Sequence, residues 1–329
     1  MQTDIIFNDA KRVLNKVDFR PLEGKTVLVT GATGLLGTHF LATLALLREQ
    51  GMKVKTFGVY HSEPADYTKE IANRGYITLM SGDYRILDAD VVLHLGGYAQ
   101  PVRFTANPAE TIRVNTTVTQ RLLDCLRLDG KFLFVSSSEV YSGLSGYVNE
   151  SQIGTTGPDH PRSGYIEGKR CGEAIVNAYR KAGVSAKSAR LGWTYGPGTR
   201  NSDARAMSGI IRQALTENVI DLSYPGKEFR SFCYVSDAVE MLWNACLHGK
   251  EPVYNVSGPY VASIYEIAKE IAFQTGVTFY GPLEGDEMAG SAQVQMNIYK
   301  ICREFRKVDY VGVQEGLANT IAWNRGLYV

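Results

Sequence analysis

The stretch Thr30-Gly-Ala-Thr-Gly-Leu-Leu-Gly37 constrains this chain more than any other. It follows Lys25-Thr-Val-Leu-Val-Thr30, a β-branched run that reads as a buried strand. It precedes a segment in which Phe40, Leu41, Leu44 and Leu47 recur at helical spacing. Strand, glycine turn and helix in that order give the three glycines separate tasks. Gly31 permits a tight turn, Gly34 lets backbone N–H groups approach a pyrophosphate, and Gly37 lets helix and strand pack closely. Thr33, Leu35 and Leu36 complete the turn and open a helix whose positive end faces the phosphates. A dinucleotide is the expected ligand.

Downstream, short apolar runs alternate with helical stretches, the pattern of a doubly wound parallel sheet. The expected strands are Thr26–Thr30, Lys53–Tyr60, Val91–Leu95, Lys131–Ser136 and Lys187–Leu191. The expected helices are Leu35–Gln50, Pro108–Arg127, Ser163–Lys181 and Ser208–Glu217, with a short amphipathic lead-in helix before Leu22. After Pro197 the alternation loosens, and Asp221–Tyr224, Phe232–Val235 and Val253–Val256 are the expected later strands. Ser263 followed by Glu266 reads as a capping box opening a helix that runs through Phe273. The expected fold is α/β, a Rossmann-type sheet with a smaller, interleaved C-terminal substrate-binding lobe. Residues 1–197 would form the dinucleotide-binding domain, with strands near 232–256 returning to it, and 198–329 mainly the second lobe.

Bulk properties exclude several alternatives. Thirty-five basic against 34 acidic residues leave a net charge of +1, so nothing steers the molecule toward nucleic acid or an anionic membrane. Five scattered cysteines, never in CxxC spacing, fit free thiols in a reducing compartment and no metal site. No apolar run is long enough to span a bilayer, and residues 1–22 lack a signal peptide's apolar core, so the expected location is the cytoplasm.

Two local motifs carry chemistry. Val135-Ser-Ser-Ser-Glu-Val-Tyr141 lies at the C-terminal end of a buried strand, where open α/β sheets hold their ligands. Tyr165-Ile-Glu-Gly-Lys169 places a phenol and an ammonium at i and i+4 on one helix face. A free tyrosine titrates near about 10, too high for a base at neutral pH. The Lys169 ammonium and a positive nicotinamide ring both favour phenolate and lower that value. Ser137 would hydrogen-bond the same substrate hydroxyl. His94 reads as packed under the cofactor, Asp237 as a loop pin, and Tyr98 and Tyr141 as candidates to flank the ring or substrate.

With these motifs in order, the chain resembles the extended short-chain dehydrogenases/reductases of the nucleotide-sugar epimerase/dehydratase group. The match takes in His94-Leu-Gly-Gly97, Asn115, Tyr195-Gly-Pro197, Arg230-Ser-Phe-Cys-Tyr-Val-Ser-Asp237 and Tyr254-Asn-Val-Ser-Gly258. The resemblance implies Ser137, Tyr165 and Lys169 as catalytic triad, with Leu95 and Gly96 against the cofactor. It also implies a nucleoside-diphosphate sugar, UDP-linked by preference, in the smaller lobe and a homodimer. Asn107-Pro108, Ser138-Glu139-Val-Tyr141 and Pro161-Arg162 look most like UDP-glucuronate decarboxylases. That resemblance implies proton handling by Ser138 and Glu139 and a substrate cation at Arg230, with Arg103 a second candidate cation. The group's 4,6-dehydratases carry an aspartate where this chain has Ser138, which disfavours dehydration. A C4-epimerase, a 4-ketoreductase and a non-catalytic dinucleotide sensor stay open. Where the group has Arg-x-x-Asn, this chain has Arg190-Leu-Gly-Trp193, so an indole replaces a substrate-binding amide.

The cofactor's adenosine end is less determined. Asp83, in Gly82-Asp83, would place a carboxylate against the adenine amine. The strand ending Phe57-Gly-Val-Tyr-His-Ser62 offers Tyr60, His61 and Ser62 where an NAD site usually has an acid. NAD is the expected cofactor and NADP stays open.

Overall fold

The computed structural model describes residues 2–82, 88–222, 229–281 and 294–328. Asp83, and Ser223 and Tyr224 of the expected strand, lie outside the described residues. Helix α1 (Gln2–Leu14) leads into β1 (Thr26–Thr30), α2 (Leu35–Glu49), β2 (Lys55–Tyr60), α3 (Asp66–Arg74), β3 (Thr78–Ser81) and β4 (Ala89–His94). Next come α4 (Pro101–Ala106), α5 (Pro108–Arg113), α6 (Thr119–Asp124), β5 (Leu126–Ser137), β6 (Gly146–Val148), α7 (Ser163–Lys181), β7 (Ser185–Leu191) and β8 (Trp193–Tyr195). The later elements are α8 (Ala206–Glu217), β9 (Val219–Asp221), β10 (Phe229–Tyr234), α9 (Val235–His248), β11 (Val253–Val256), β12 (Tyr260–Ser263) and α10 (Ile264–Thr275). The chain closes with β13 (Thr278–Tyr280), β14 (Val294–Met296), α11 (Tyr299–Phe305) and α12 (Val313–Tyr328).

Seven strands form one parallel sheet in the order β11-β7-β5-β4-β1-β2-β3. Order reverses between β1 and β4, so their C-terminal ends open the crevice where such sheets bind ligands. Helices cover both faces, and no helix among the described residues is long and apolar enough to cross a membrane.

Two expectations need correction. Residues 108–127 do not form one helix: a π-helical turn (Val114–Val118) separates α5 from α6, and β5 already begins at Leu126. Side chains there bond backward to the backbone, Thr111 Oγ1 to the Asn107 carbonyl at 2.8 Å and Asn115 Nδ2 to the Thr111 carbonyl at 2.7 Å. Thr116 and Thr119 do the same to Ile112 and Asn115, and such competition widens a helix. Of the late strands, β11 joins the central sheet beside β7, but β10 does not. It lies between β8 and β12 in a separate three-stranded sheet.

Helix α1 is knit into the core by Ile6, Phe7, Ala10 and Val13. Its buried Asp9 accepts a 2.9 Å bond from the Tyr234 hydroxyl and lies 3.4 Å from His39 Nε2. The other ring nitrogen of His39 is 3.0 Å from the Leu35 carbonyl, at the start of α2. The expected capping box at Ser263 and Glu266 opens α10.

Asp237 is a loop pin. Lys307 sits buried 2.7 Å from both Asp237 and Glu240, and the Val311 N–H donates to Asp237 at 2.9 Å. Replacing Lys307 with methionine strands two buried carboxylates. The expected loss is about 3–5 kcal/mol, read from denaturant unfolding, with little change at a distant active site.

Candidate active site

The glycine turn is a steric solution. At Gly31 the backbone has φ +68°, and an added Cβ would lie 2.9 Å from the Leu95 carbonyl carbon. At Gly37 a Cβ would lie only 2.2 Å from the Gly31 oxygen, so nothing larger lets α2 start this close to β1. Gly34 is the N-cap of α2, which leaves the first-turn N–H groups, from Leu35 onward, directed at whatever binds there. These features fit a dinucleotide pyrophosphate. At the adenosine side no carboxylate ends β2; the Thr33 hydroxyl donates to the Ser62 carbonyl at 3.3 Å, and Arg200 donates to the Glu63 carbonyl at 2.6 Å.

His94 is a strut. Its Nε2–H donates to the Val114 carbonyl at 3.2 Å, leaving Nδ1 to accept from the Thr30 hydroxyl at 2.8 Å. The same hydroxyl accepts from the Gly96 N–H at 3.0 Å, fixing the Leu95-Gly96 turn against the glycine loop. Burial, with the Lys169 charge nearby, holds His94 neutral, its pKa down to about 3.

Helix α7 carries Tyr165, Lys169 and Glu173 at i, i+4 and i+8 toward the end of β5. Glu173 forms a buried ion pair with Arg190 of β7 at 2.8 Å and accepts from Ser136 at 2.5 Å. Lys169 Nζ donates to the Val135 carbonyl at 2.7 Å and lies 5.8 Å from the Tyr165 ring centre. Ser137 lines the same cleft as Tyr165, and its hydroxyl favours the phenolate. Burial pushes the Tyr165 phenol up to about 12 and pulls Lys169 down to about 7. The described residues alone therefore leave Tyr165 a phenol at neutral pH; a positive charge beside it would favour phenolate.

Ser137, Ser138, Glu139, Tyr165, Lys169 and Trp193 converge on one cleft of about 400 Å³, which Leu36 and Leu95 continue toward the glycine loop. A larger, open groove of about 830 Å³ between α1, α3 and the end of α12 contains none of the triad. Arg103 and Arg230 do not line the cleft; the Arg230 guanidinium lies 5.4 Å from the Trp193 ring centre instead. Tyr98 lines it, whereas Tyr141 is fully buried, donating to Asn255 at 2.7 Å and accepting from Arg190 at 2.9 Å. Among the cleft residues that were not anticipated are Phe104, Arg162 and Arg205. Arg162 stood in a quoted motif, Pro161-Arg162, without a role. Arg205 precedes the expected start of its helix, and Phe104 had no signal beyond being aromatic.

The sequence model of the NAD dependent epimerase/dehydratase family matches residues 27–257. The chain belongs to that family. It is thus an NAD-using enzyme, and the matched span contains the glycine loop together with Ser137, Tyr165 and Lys169. A UDP-glucuronic acid decarboxylase of Arabidopsis thaliana is 32% identical over 74% of this chain and 73% of its own length. One of Xenopus tropicalis is 28% identical over 92% of this chain and 72% of its own. Among solved structures, a Bacillus cereus UDP-glucuronic acid 4-epimerase in complex with UDP-glucuronic acid and NAD superposes with TM-score 0.73. It is 25% identical over 92% of this chain and all of its own.

Gly37→Ala is expected to abolish retention of NAD through purification while the fold persists, because α2 must back away from the loop. Gly209→Ala, where an added Cβ meets nothing within 4 Å, is the matched control and should retain it.

Proposed function

We propose that the enzyme oxidises a UDP-linked uronic acid at C4, decarboxylates it and reduces the product to a UDP-pentose. The observation that carries this reading is the shared cleft of a Ser137–Tyr165–Lys169 triad with Ser138, Glu139 and the cation Arg205. The decarboxylase relatives support the same choice. Arg205 replaces Arg230 as the expected carboxylate-facing cation. It is oriented by Asp203, 2.5 Å away, and contacts the Thr194 carbonyl.

The glycine loop, residues 31–37, would hold NAD, which would supply the hydride acceptor for oxidation at C4 and the hydride donor for the final reduction. Tyr165, as phenolate, accepts the C4 hydroxyl proton, and Ser137 holds the developing C4 oxygen. Lys169 restores the phenol's charge balance. With C4 a ketone, the C6 carboxylate belongs to a β-keto acid. The C5–C6 bond breaks, CO2 leaves, and the electron pair passes into an enolate. Protonation at C5 falls to Ser138 and Glu139. Burial of Tyr165 and Lys169 keeps water from these intermediates. The substrate side is furnished mainly by residues 198–329, with Trp193 as its aromatic wall. Homodimerisation through the outer faces of α5 and α7 belongs to the same reading, supported by the exposed Ile112.

A second reading, C4-epimerisation of the same uronic acid, is supported by the Bacillus cereus neighbour. Incubation with UDP-glucuronate separates them. CO2 and UDP-pentose are expected, while recovery of UDP-galacturonate with the carboxylate intact would move the reading to epimerase. Tyr165→Phe should lower turnover by about 10²–10⁴-fold.

Of the three tryptophans, Trp243 and Trp323 are 0% exposed and Trp193 is 38% exposed. Titration with UDP is therefore expected to change emission through Trp193, a change that Trp193→Phe removes. Calorimetric UDP binding without any such change would refute a substrate-side role for this indole.

A further inference from the structure

Phe104 of α4 lies flat against the catalytic phenol. Its ring centre is 4.4 Å from that of Tyr165, with planes 12° apart. The Arg162 guanidinium also lies over the Phe104 ring, 5.3 Å from the ring centre. Arg162 then returns to the site, pairing with Glu139 at 3.0 Å. The circuit runs Tyr165, Phe104, Arg162, Glu139 and, through the Glu139 N–H at 3.2 Å, Ser137. Phe104 is 2% exposed, yet it belongs to none of the hydrophobic clusters among the described residues. Its burial serves the cleft, not the core. The Arg162 Nε is buried without a hydrogen-bond partner, so packing and charge hold this side chain more than its donors do.

We infer that Phe104 and Arg162 are positioning residues for Tyr165, clamping the phenol's ring plane in a guanidinium–phenyl–phenol stack and keeping water off that face. Stacked rings fix both spacing and tilt, and a guanidinium is suited to cover an aromatic face. The inference rests on Tyr165 being the base that takes the C4 proton. It adds that α4, with no group of its own in the triad, sets how dry and how flat that base is held.

The charged groups around the phenol are Lys169 on its own helix, Arg162 at the start of that helix, Glu139 after β5 and Arg205 across the cleft; His94 on β4 is neutral. Arg103, the charged residue of α4, does not line the cleft. Arg162 favours phenolate and Glu139 opposes it.

The test is the pH at which the Tyr165 phenol ionises in the NAD-loaded enzyme, read as the ultraviolet titration difference between each variant and the same variant carrying Tyr165→Phe. Phe104→Ala admits water and should move the midpoint to lower pH by about half a unit or more. Arg162→Gln removes a favourable charge and should move it to higher pH. Phe104→Tyr and Arg162→Lys, which keep the stack or the charge, should stay within a few tenths of wild type. Despite the larger phenolate fraction, the rate of cofactor reduction by UDP-glucuronate should fall about tenfold in Phe104→Ala, with KM within about twofold, because the phenol is no longer held in place. Midpoints that do not move, or that move the same way in Phe104→Ala and Arg162→Gln, overturn the inference. Because the titration needs no turnover, absence of CO2 release counts against decarboxylation alone.

Discussion

The contact on which the site depends is the bond from Lys169 Nζ to the Val135 carbonyl, inside a stripe of three polar residues on α7. Tyr165, Lys169 and Glu173 face the end of β5 at successive turns: Tyr165 shares the cleft with Ser137, Lys169 bonds the Val135 carbonyl, and Glu173 accepts from Ser136. Glu173 also reaches across to Arg190 on β7. A buried ion pair of this kind adds little net stability but specifies register strongly, since a slipped helix would leave charges unpaired. Ser137 and Tyr165 meet because the turns behind them cannot slide.

Such contacts require close backbones. Gly172 allows α7 to lie against β5; a Cβ there would come within 2.5 Å of the Phe134 ring. The same economy of space appears at Gly37, where α2 crosses the glycine loop. Both close approaches exclude water, and exclusion has an electrostatic cost that shows in Tyr165 and Lys169. Burial holds Tyr165 as a weak acid and Lys169 as a weak base.

Much of this was legible in local sequence. The strand Thr26–Thr30 and the helix Ser163–Lys181 have the expected bounds, because β-branched runs and i, i+4 patterns are local signals. Motif order pointed to Ser137, Tyr165 and Lys169, and the three line one cleft. What escaped was decided by chain return. The π-helical turn arises from four side chains competing for backbone carbonyls, a density that propensity does not register. Arg205 and Phe104 reach the cleft only because distant segments fold over it. Arg230 fitted a motif, yet its guanidinium lies over the Trp193 ring and outside the cleft lining. Strand β10 had a buried-strand pattern that was equally good for either sheet, and the edge beside β7 went to β11.

Helix α1 lies ahead of the residues matched by the family model, yet its Asp9 reaches His39, and His39 reaches the Leu35 carbonyl where the phosphate-facing helix begins. A fragment cut at residue 27 would keep every recognised motif. It would also expose the seats of Ile6, Phe7, Ala10 and Val13 and leave a buried imidazole without its carboxylate. The unit that carries the chemistry is thus smaller than the unit that folds, and grafting the first without the second would transplant a grip with no wrist.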